Sequence, residues 1–367
     1  MAIAMVVLFH LNSYLMAKTS FYEHRVNGSD WLCRSALVGF HGVELFFVIS
    51  GFILALPFAS YRLTGGPAVN LRSYYLRRLT RLEPPYFVTL LVLTSLGVWL
   101  RPGSFWGSTG HLAASLFYAH NVVYGAPSSL LGIAWSLEIE VQFYLLVPVF
   151  TLLFAVRNTA LRRSILVLSA VGMTAVQASF LNDHPRFSLS ILGYLQFFLL
   201  GFLIADIFLV EWKAPPRKPL CWDILALAGW PLLFVVWQSR TLTHWLFPAL
   251  VFALYCAAFR GRWASWIMSR PWITAVGGMC YSIYLIHYAV ISGVGRFTKT
   301  IGASLPDPLY LMTQFILVGI AIVLICGLYF LVLEKPCMKR NWPQRVWQSA
   351  KNNISSRHPD EQPTFAD

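Results

Sequence analysis

Charge is what this sequence lacks. Asp, Glu, Lys and Arg together supply 12 % of its 367 residues, about half of the ~25 % that a soluble domain carries. Too little charge remains to cover a water-facing surface. A hydrophobic fraction of 57 % and a mean hydropathy of +0.61 say the same. A soluble enzyme, a secreted disulfide scaffold and a disordered chain are excluded, which leaves an all-α, polytopic integral membrane protein. Acidic residues are scarcer still, 15 against 28 basic, for a net charge of +13. In a soluble chain that excess would point to nucleic acid. Here the positives sit in short loops between apolar runs, where they set topology, and no nucleic-acid partner is expected.

Metal-ligand patterns are missing as well. The six cysteines form no CxxC pair and no Cys/His spacing, so neither a zinc site nor a disulfide framework is indicated. Cys221, Cys256, Cys280 and Cys326 lie in or beside apolar segments and read as small core residues. No basic n-region of a signal peptide opens the chain. Met1 leads directly into an apolar run, so the start is expected to fall inside the first membrane helix.

Apolar runs of roughly 17–25 residues are candidate spans. Ten can be read, starting near Met1, Ala36, Pro84, Ile133, Ser164, Leu189, Leu220, His244, Trp272 and Leu309, the first and eighth of them short. The half-apolar stretch from His111 to Tyr124 reads as re-entrant or interfacial. Twenty of the 28 basic residues fall in one alternate set of loops: Arg62 to Arg81, Arg157 to Arg163, Lys213 to Lys218, Arg260 to Arg270, and the segment after Glu334. By the positive-inside rule both termini are cytoplasmic. Residues 1–340 form the transmembrane domain, and the polar segment 341–367 is expected to be a disordered cytoplasmic tail.

Ionisable residues inside spans cost at least ~2.5–3.5 kcal/mol on insertion scales, so each requires a reason. His10 lies on the first span, His41 and Glu44 on the second, Glu138 and Glu140 on the fourth, and His287 on the ninth. Counted from the outer span ends at ~1.5 Å per residue, His10, His41, Glu44, Glu140 and His287 lie roughly 7–12 Å deep. A shared level predicts one polar pocket opening outward. His41 and Glu44, three apart, share a helix face. Glu138 and Glu140, about 200° apart, do not. A histidine near carboxylates can act as general base on a hydroxyl, and the same set can shuttle protons through a transporter.

Between the second and third spans runs Arg77-Arg78-Leu79-Thr80-Arg81. Arg78 and Arg81 point the same way on a helix, and paired guanidinium forks suit phosphate oxygens. A positive-inside anchor or a contact with membrane lipid headgroups accounts for them equally well.

Several segments match a known family in order over residues 1–340: Val6-Val7-Leu8-Phe9-His10, Phe46-Phe47-Val48-Ile49-Ser50-Gly51-Phe52, the Arg77–Arg81 loop, Trp135-Ser136-Leu137-Glu138-Ile139-Glu140 with Phe143-Tyr144, Phe198-Leu199-Leu200-Gly201-Phe202, Tyr281-Ser282-Ile283-Tyr284-Leu285-Ile286-His287, and Glu334-Lys335-Pro336. The chain thereby resembles the bacterial membrane acyltransferase-3 family. The resemblance implies about ten helices in a bacterial inner membrane and transfer of an acyl group, usually acetyl, from cytoplasmic acyl-CoA to a hydroxyl of an extracytoplasmic carbohydrate or glycolipid. It implies that His10 is the essential histidine, that Arg78 and Arg81, with Arg77 beside them, hold the acetyl-CoA phosphates, and that Glu140 is the carboxylate orienting His10. Glu44 and His41 are lesser candidates for that orienting role. Tyr281, Ser282 and Tyr284 are candidate donors to an oxyanion. The family's arginine eleven positions before the histidine would fall just before Met1. The hydrolase-like domain that some relatives append has no counterpart in this sequence. The reading from another class is a proton-coupled transporter or flippase for a lipid-linked sugar; no internal repeat of the transporter kind is visible.

Overall fold

The computed structural model describes residues 1–23, 35–100, 105–216, 218–238, 240–339 and 342. The expected tail therefore lies, apart from Trp342, outside the described residues. Among those residues all regular structure is helical. The main helices are α1 (Ala2–Lys18), α2 (Gly42–Thr64), α3 (Leu71–Leu100), α4 (Trp135–Phe150), α5 (Thr159–Ser179), α6 (Ile191–Val210), α7 (Pro219–Gln238), α8 (Arg240–Arg260), α9 (Pro271–Gly278), α10 (Cys280–Thr298) and α11 (Asp307–Tyr329).

Helices dominate because a backbone in hydrocarbon must satisfy its own hydrogen bonds. Seven helical segments are long and apolar enough to cross a bilayer. An eighth span arises if α9 and α10, bent by 75° at Met279, count as one. Two further apolar helices are α1 (Ala2–Lys18) and α8, the latter over Trp245–Arg260. Ten spans is therefore an approximate count. The ninth is broken rather than continuous: Gly277 and Gly278 remove side chains just ahead of the bend. The stretch from His111 to Tyr124 is not a span. It folds as two short helices, Phe105–Leu116 and His120–Tyr124, hinged where Tyr118 takes a left-handed φ of 54°.

Packing divides the bundle into two main blocks. One core joins α2, α4, α5, α6, α7 and α8, a second joins α10 and α11, and α1 contributes to both, with Ala2 and Val6 in the first and Ile3, Val7 and Leu11 in the second. Within the first, α2 and α6 touch backbone to backbone. A Cβ on Gly201 would stand 2.4 Å from Val48 O, and one on Gly51 would stand 2.3 Å from Phe198 O. Small residues allow such approach where lipid provides no hydrophobic drive. The glycines of the two Phe-rich motifs thus have a packing reason.

Candidate functional site

A cavity of about 1160 Å³ lies between the two blocks. Its polar wall is built from neighbouring turns. Arg78 and Arg81 come from the first turns of α3, at the end of the bundle that carries the basic loops. Ser50 comes from α2, and Ser136, Glu140 and Tyr144 come from α4. Pro84 and Pro85 lie just beyond the arginine turns. Having no N–H, the two prolines leave Thr80 O and Arg81 O without their usual helical donors; on the other side of the pair, Tyr329 of α11 donates its hydroxyl to Pro85 O at 2.6 Å.

The arginines leave donors unused. Nε of Arg78 and Nε of Arg81 are buried without a hydrogen-bond partner among the described residues. Arg78 lies over the rings of Tyr74 and Tyr144, 5.7 and 6.0 Å from their centroids. Arg81 reaches Glu334 Oε1 at 3.4 Å through Nη2. Glu334 is fully buried in a π-helical turn, Phe330–Glu334, directly after α11. Its other oxygen accepts from Ser282 N at 3.1 Å and Ser282 Oγ at 2.6 Å. The break at Met279 exposes the N-terminus of α10, and a carboxylate there answers both orphan N–H groups and the helix dipole. Arg77, one residue on and so about 100° around the helix, does not join this group. It lines a separate cavity of about 350 Å³ with Ser60, Asn70 and Ser73, and not the one that Arg78 and Arg81 line.

Glu140 is held within its own wall. Its Oε1 accepts from Ser50 Oγ and from Tyr144 OH, each at 2.5 Å. No hydrogen bond joins it to His10, so the expected orienting contact is absent among the described residues. Glu138 points elsewhere, as the 200° offset requires, and accepts from Asn121 N at 2.8 Å. It thereby ties the start of the His120–Tyr124 helix to α4.

His10 has a different partner. Its Nδ1 lies 2.9 Å from Val6 O and 3.2 Å from Nε2 of His287. His287 Nδ1 in turn lies 3.0 Å from Ile283 O and 2.8 Å from Tyr284 O. Carbonyls only accept, so Nδ1 of a neutral His287 carries its proton and Nε2 is an acceptor. Nδ1 of His10 then has two acceptors and must be the donor. The lone pair of His10 is left on Nε2. His10 stands one turn beyond Val7, and His287 one turn beyond Tyr284. Val7 and Tyr284 both line the cavity.

The single outward pocket expected from depth resolves into three places. His10 pairs with His287 above the cavity, and Glu140 lies in its wall. His41 and Glu44 form their own buried pair at 2.8 Å, with His41 packed against the Phe247 ring. Neither His41 nor Glu44 lines the cavity. The three candidate oxyanion donors are also committed: Tyr281 OH to Leu82 O, Ser282 Oγ to Glu334 and Tyr284 OH to Ile133 O. Depth singled out His287 but gave no hint of its partner. Ser50 and Tyr144 sit inside recognisable motifs, yet only the α2–α4 crossing shows that they share Glu140.

Residues 1–331 match the model of the acyltransferase-3 family, described as an acyltransferase domain. The chain is similar to the peptidoglycan O-acetyltransferase OatA of Listeria monocytogenes serovar 1/2a, 28 % identical over 343 residues, 83 % of this chain and 52 % of that protein. It is similar to the O-acetyltransferase OatA of Staphylococcus aureus (strain NCTC 8325 / PS 47), 27 % identical over 323 residues, 81 % of this chain and 50 % of that one. A protein of Staphylococcus aureus (strain MRSA252), provisionally named an O-acetyltransferase, is 26 % identical over 378 residues, 95 % of this chain and 58 % of its own. The chain thus spans about half the length of the curated relatives it matches. No solved structure matches it.

Proposed function

Because this chain belongs to the acyltransferase-3 family, we propose that it is a multi-pass membrane O-acyltransferase of a bacterial inner membrane. It takes an acyl group, acetyl being the shortest, from cytoplasmic acyl-CoA and delivers it to a hydroxyl of an extracytoplasmic carbohydrate or glycolipid. Residues 1–340 are the acyltransferase domain in this reading, and 341–367 a cytoplasmic tail. The observation that carries it is the pair of buried, unpartnered Nε donors of Arg78 and Arg81 at a cavity whose far end lies one turn from His10.

The donor set fits a phosphate ester: two guanidinium groups with free buried N–H, and no carboxylate on Arg78 to compete. The bound thioester supplies an activated acyl carbon. His10 Nε2, the nitrogen left with a lone pair, takes the proton of the acceptor hydroxyl as its oxygen bonds to that carbon. His10 then returns the proton to the departing thiolate, so the imidazole ends as it began. His287 holds His10 in the tautomer that makes this possible, the part a triad's third member plays. Ser50, Tyr144 and Glu140 line the path between arginines and histidines and offer partners to the polar arm of the donor.

The test is transfer of labelled acetyl from acetyl-CoA into surface glycan, in membranes containing the wild type or His10→Ala. Incorporation that disappears in His10→Ala supports the reading. Absence of label with folded, inserted protein rejects it in favour of transport.

A further inference from the structure

The cavity has a second wall unlike the first. Away from Arg78, Arg81 and Glu140 it is lined by Ile273 and Val276 of α9 and by Phe315, Ile316, Ile320 and Val323 of α11, none with a side-chain hydrogen-bonding group. Two glycines interrupt this wall. Gly277 on α9 and Gly319 on α11 both line the cavity, and a Cβ built on either meets nothing within 4 Å. The 75° bend at Met279 turns α9 away from the line of α10, which leaves room beside α11.

We propose that this apolar lobe takes the hydrocarbon chain of an acyl donor longer than acetyl, and that Gly277 and Gly319 set the length it accepts. This rests on the acyl-CoA reading above and specifies its donor. A pantetheine arm carries amides that lose their water partners on burial, so it belongs on the polar wall, where the hydroxyl oxygens of Ser50, Ser136 and Tyr144 can accept from its N–H groups. Hydrocarbon loses nothing in the lobe. A two-carbon acyl group leaves the lobe unfilled. At ~25 cal/mol per Å² of apolar area, each methylene it accepts is worth about fourfold in affinity. A membrane phospholipid has the same phosphate-plus-chain chemistry, but its diacylglycerol carries no N–H for the hydroxyl oxygens of the polar wall to accept, their own protons being given to Glu140 and Tyr284. The occupant that satisfies both walls is a fatty acyl thioester of CoA. Acetyl-CoA still enters, more weakly.

The experiment measures binding of CoA, acetyl-CoA, butyryl-CoA and octanoyl-CoA to the full chain in lipid nanodiscs. It is repeated with Gly319→Leu and, separately, with Gly277→Leu. Both substitutions project into open space, and either one alone suffices if the other fails to insert. The wild type is expected to hold octanoyl-CoA at least tenfold more tightly than acetyl-CoA, with butyryl-CoA between. In each variant that ratio is expected to fall towards one. Partition of long chains into the disc would raise the ratio equally in all three proteins, so a ratio that stays high in both variants overturns the proposal. Equal affinities for all thioesters in the wild type overturn it too and leave the lobe to phospholipid, with the acyltransferase reading intact. Failure to bind even CoA removes the reading on which it rests.

Discussion

Nε2 of His287 lies 3.2 Å from Nδ1 of His10, and the other partners of the two rings fix which nitrogen donates. Four carbonyl or imine acceptors share two protons in this chain of contacts, and only Nε2 of His10 is left with an uncommitted lone pair. A histidine on α1 and another on α10 are 277 residues apart, so the pair exists only because those two helices share a core.

Removing either ring has a graded consequence. His10→Ala is expected to lower acyl transfer by ~10²–10⁴, the usual worth of a general base. His287→Ala leaves Val6 O to hold the proton on Nδ1, so its loss is smaller, on the order of tenfold. Initial rates of label transfer at saturating donor check both, and an unchanged rate in His10→Ala removes the histidine from the chemistry.

The arginines separate by cavity. Arg78→Ala and Arg81→Ala each delete charge-assisted donors worth ~1.5–3 kcal/mol, so the KM for acyl-CoA should rise about 10- to 100-fold. Arg77→Ala should change it less than threefold, because Arg77 lines the other cavity. Donor titrations of the three variants decide the order. An Arg77 effect equal to that of Arg78 contradicts the partition.

A buried ion cluster on the first block gives a stability prediction. Arg162, 1 % exposed, and Arg163 both bind Asp206, which is 0 % exposed; Arg162 also donates to Val156 O at 2.6 Å. Asp206→Ala strands a buried guanidinium, at a cost of about 3–5 kcal/mol. Thermal melting in detergent should show a large drop for Asp206→Ala. The double variant Arg162→Met with Asp206→Leu should recover much of it.

The α2–α6 seam makes another. Gly201→Ala places a methyl 2.4 Å from Val48 O and 2.5 Å from Phe52 N. Backbone cannot rotate aside as a side chain can, so the helices must part, at about 1–3 kcal/mol. Gly319→Ala, which meets open space, is the control with little effect on melting.

Much of this arrangement was legible in the residues. Apolar run length located the helices, because the bilayer imposes its thickness on them. The spacing of Arg78 and Arg81 put both on one face, and both line the cavity. The offset of Glu138 from Glu140 separated them correctly. What depth could not supply was which helices adjoin. His41, Glu44, Glu140 and His10 share a level yet occupy three different places, since a level says nothing about angle around the bundle. Arg77 lines a different cavity from Arg78 because adjacent helical residues diverge by about 100°. Nor does hydropathy register the 75° break at Met279, because α9 and α10 are apolar on both sides of it. Gly277-Gly278 was the local sign.

The backbone contact between Gly51 and Gly201 also bears on motion. Helices interlocked through main-chain atoms cannot slide or roll past each other, so α2 and α6 move as one piece. Ser50 is the residue before Gly51, and through its bond to Glu140 the same piece includes part of α4. One side of the cavity is therefore an anvil. Whatever widening admits a substrate or releases a product must come from the opposite side, where α9 is hinged to α10 at Met279 and lined with open space at Gly277 and Gly319.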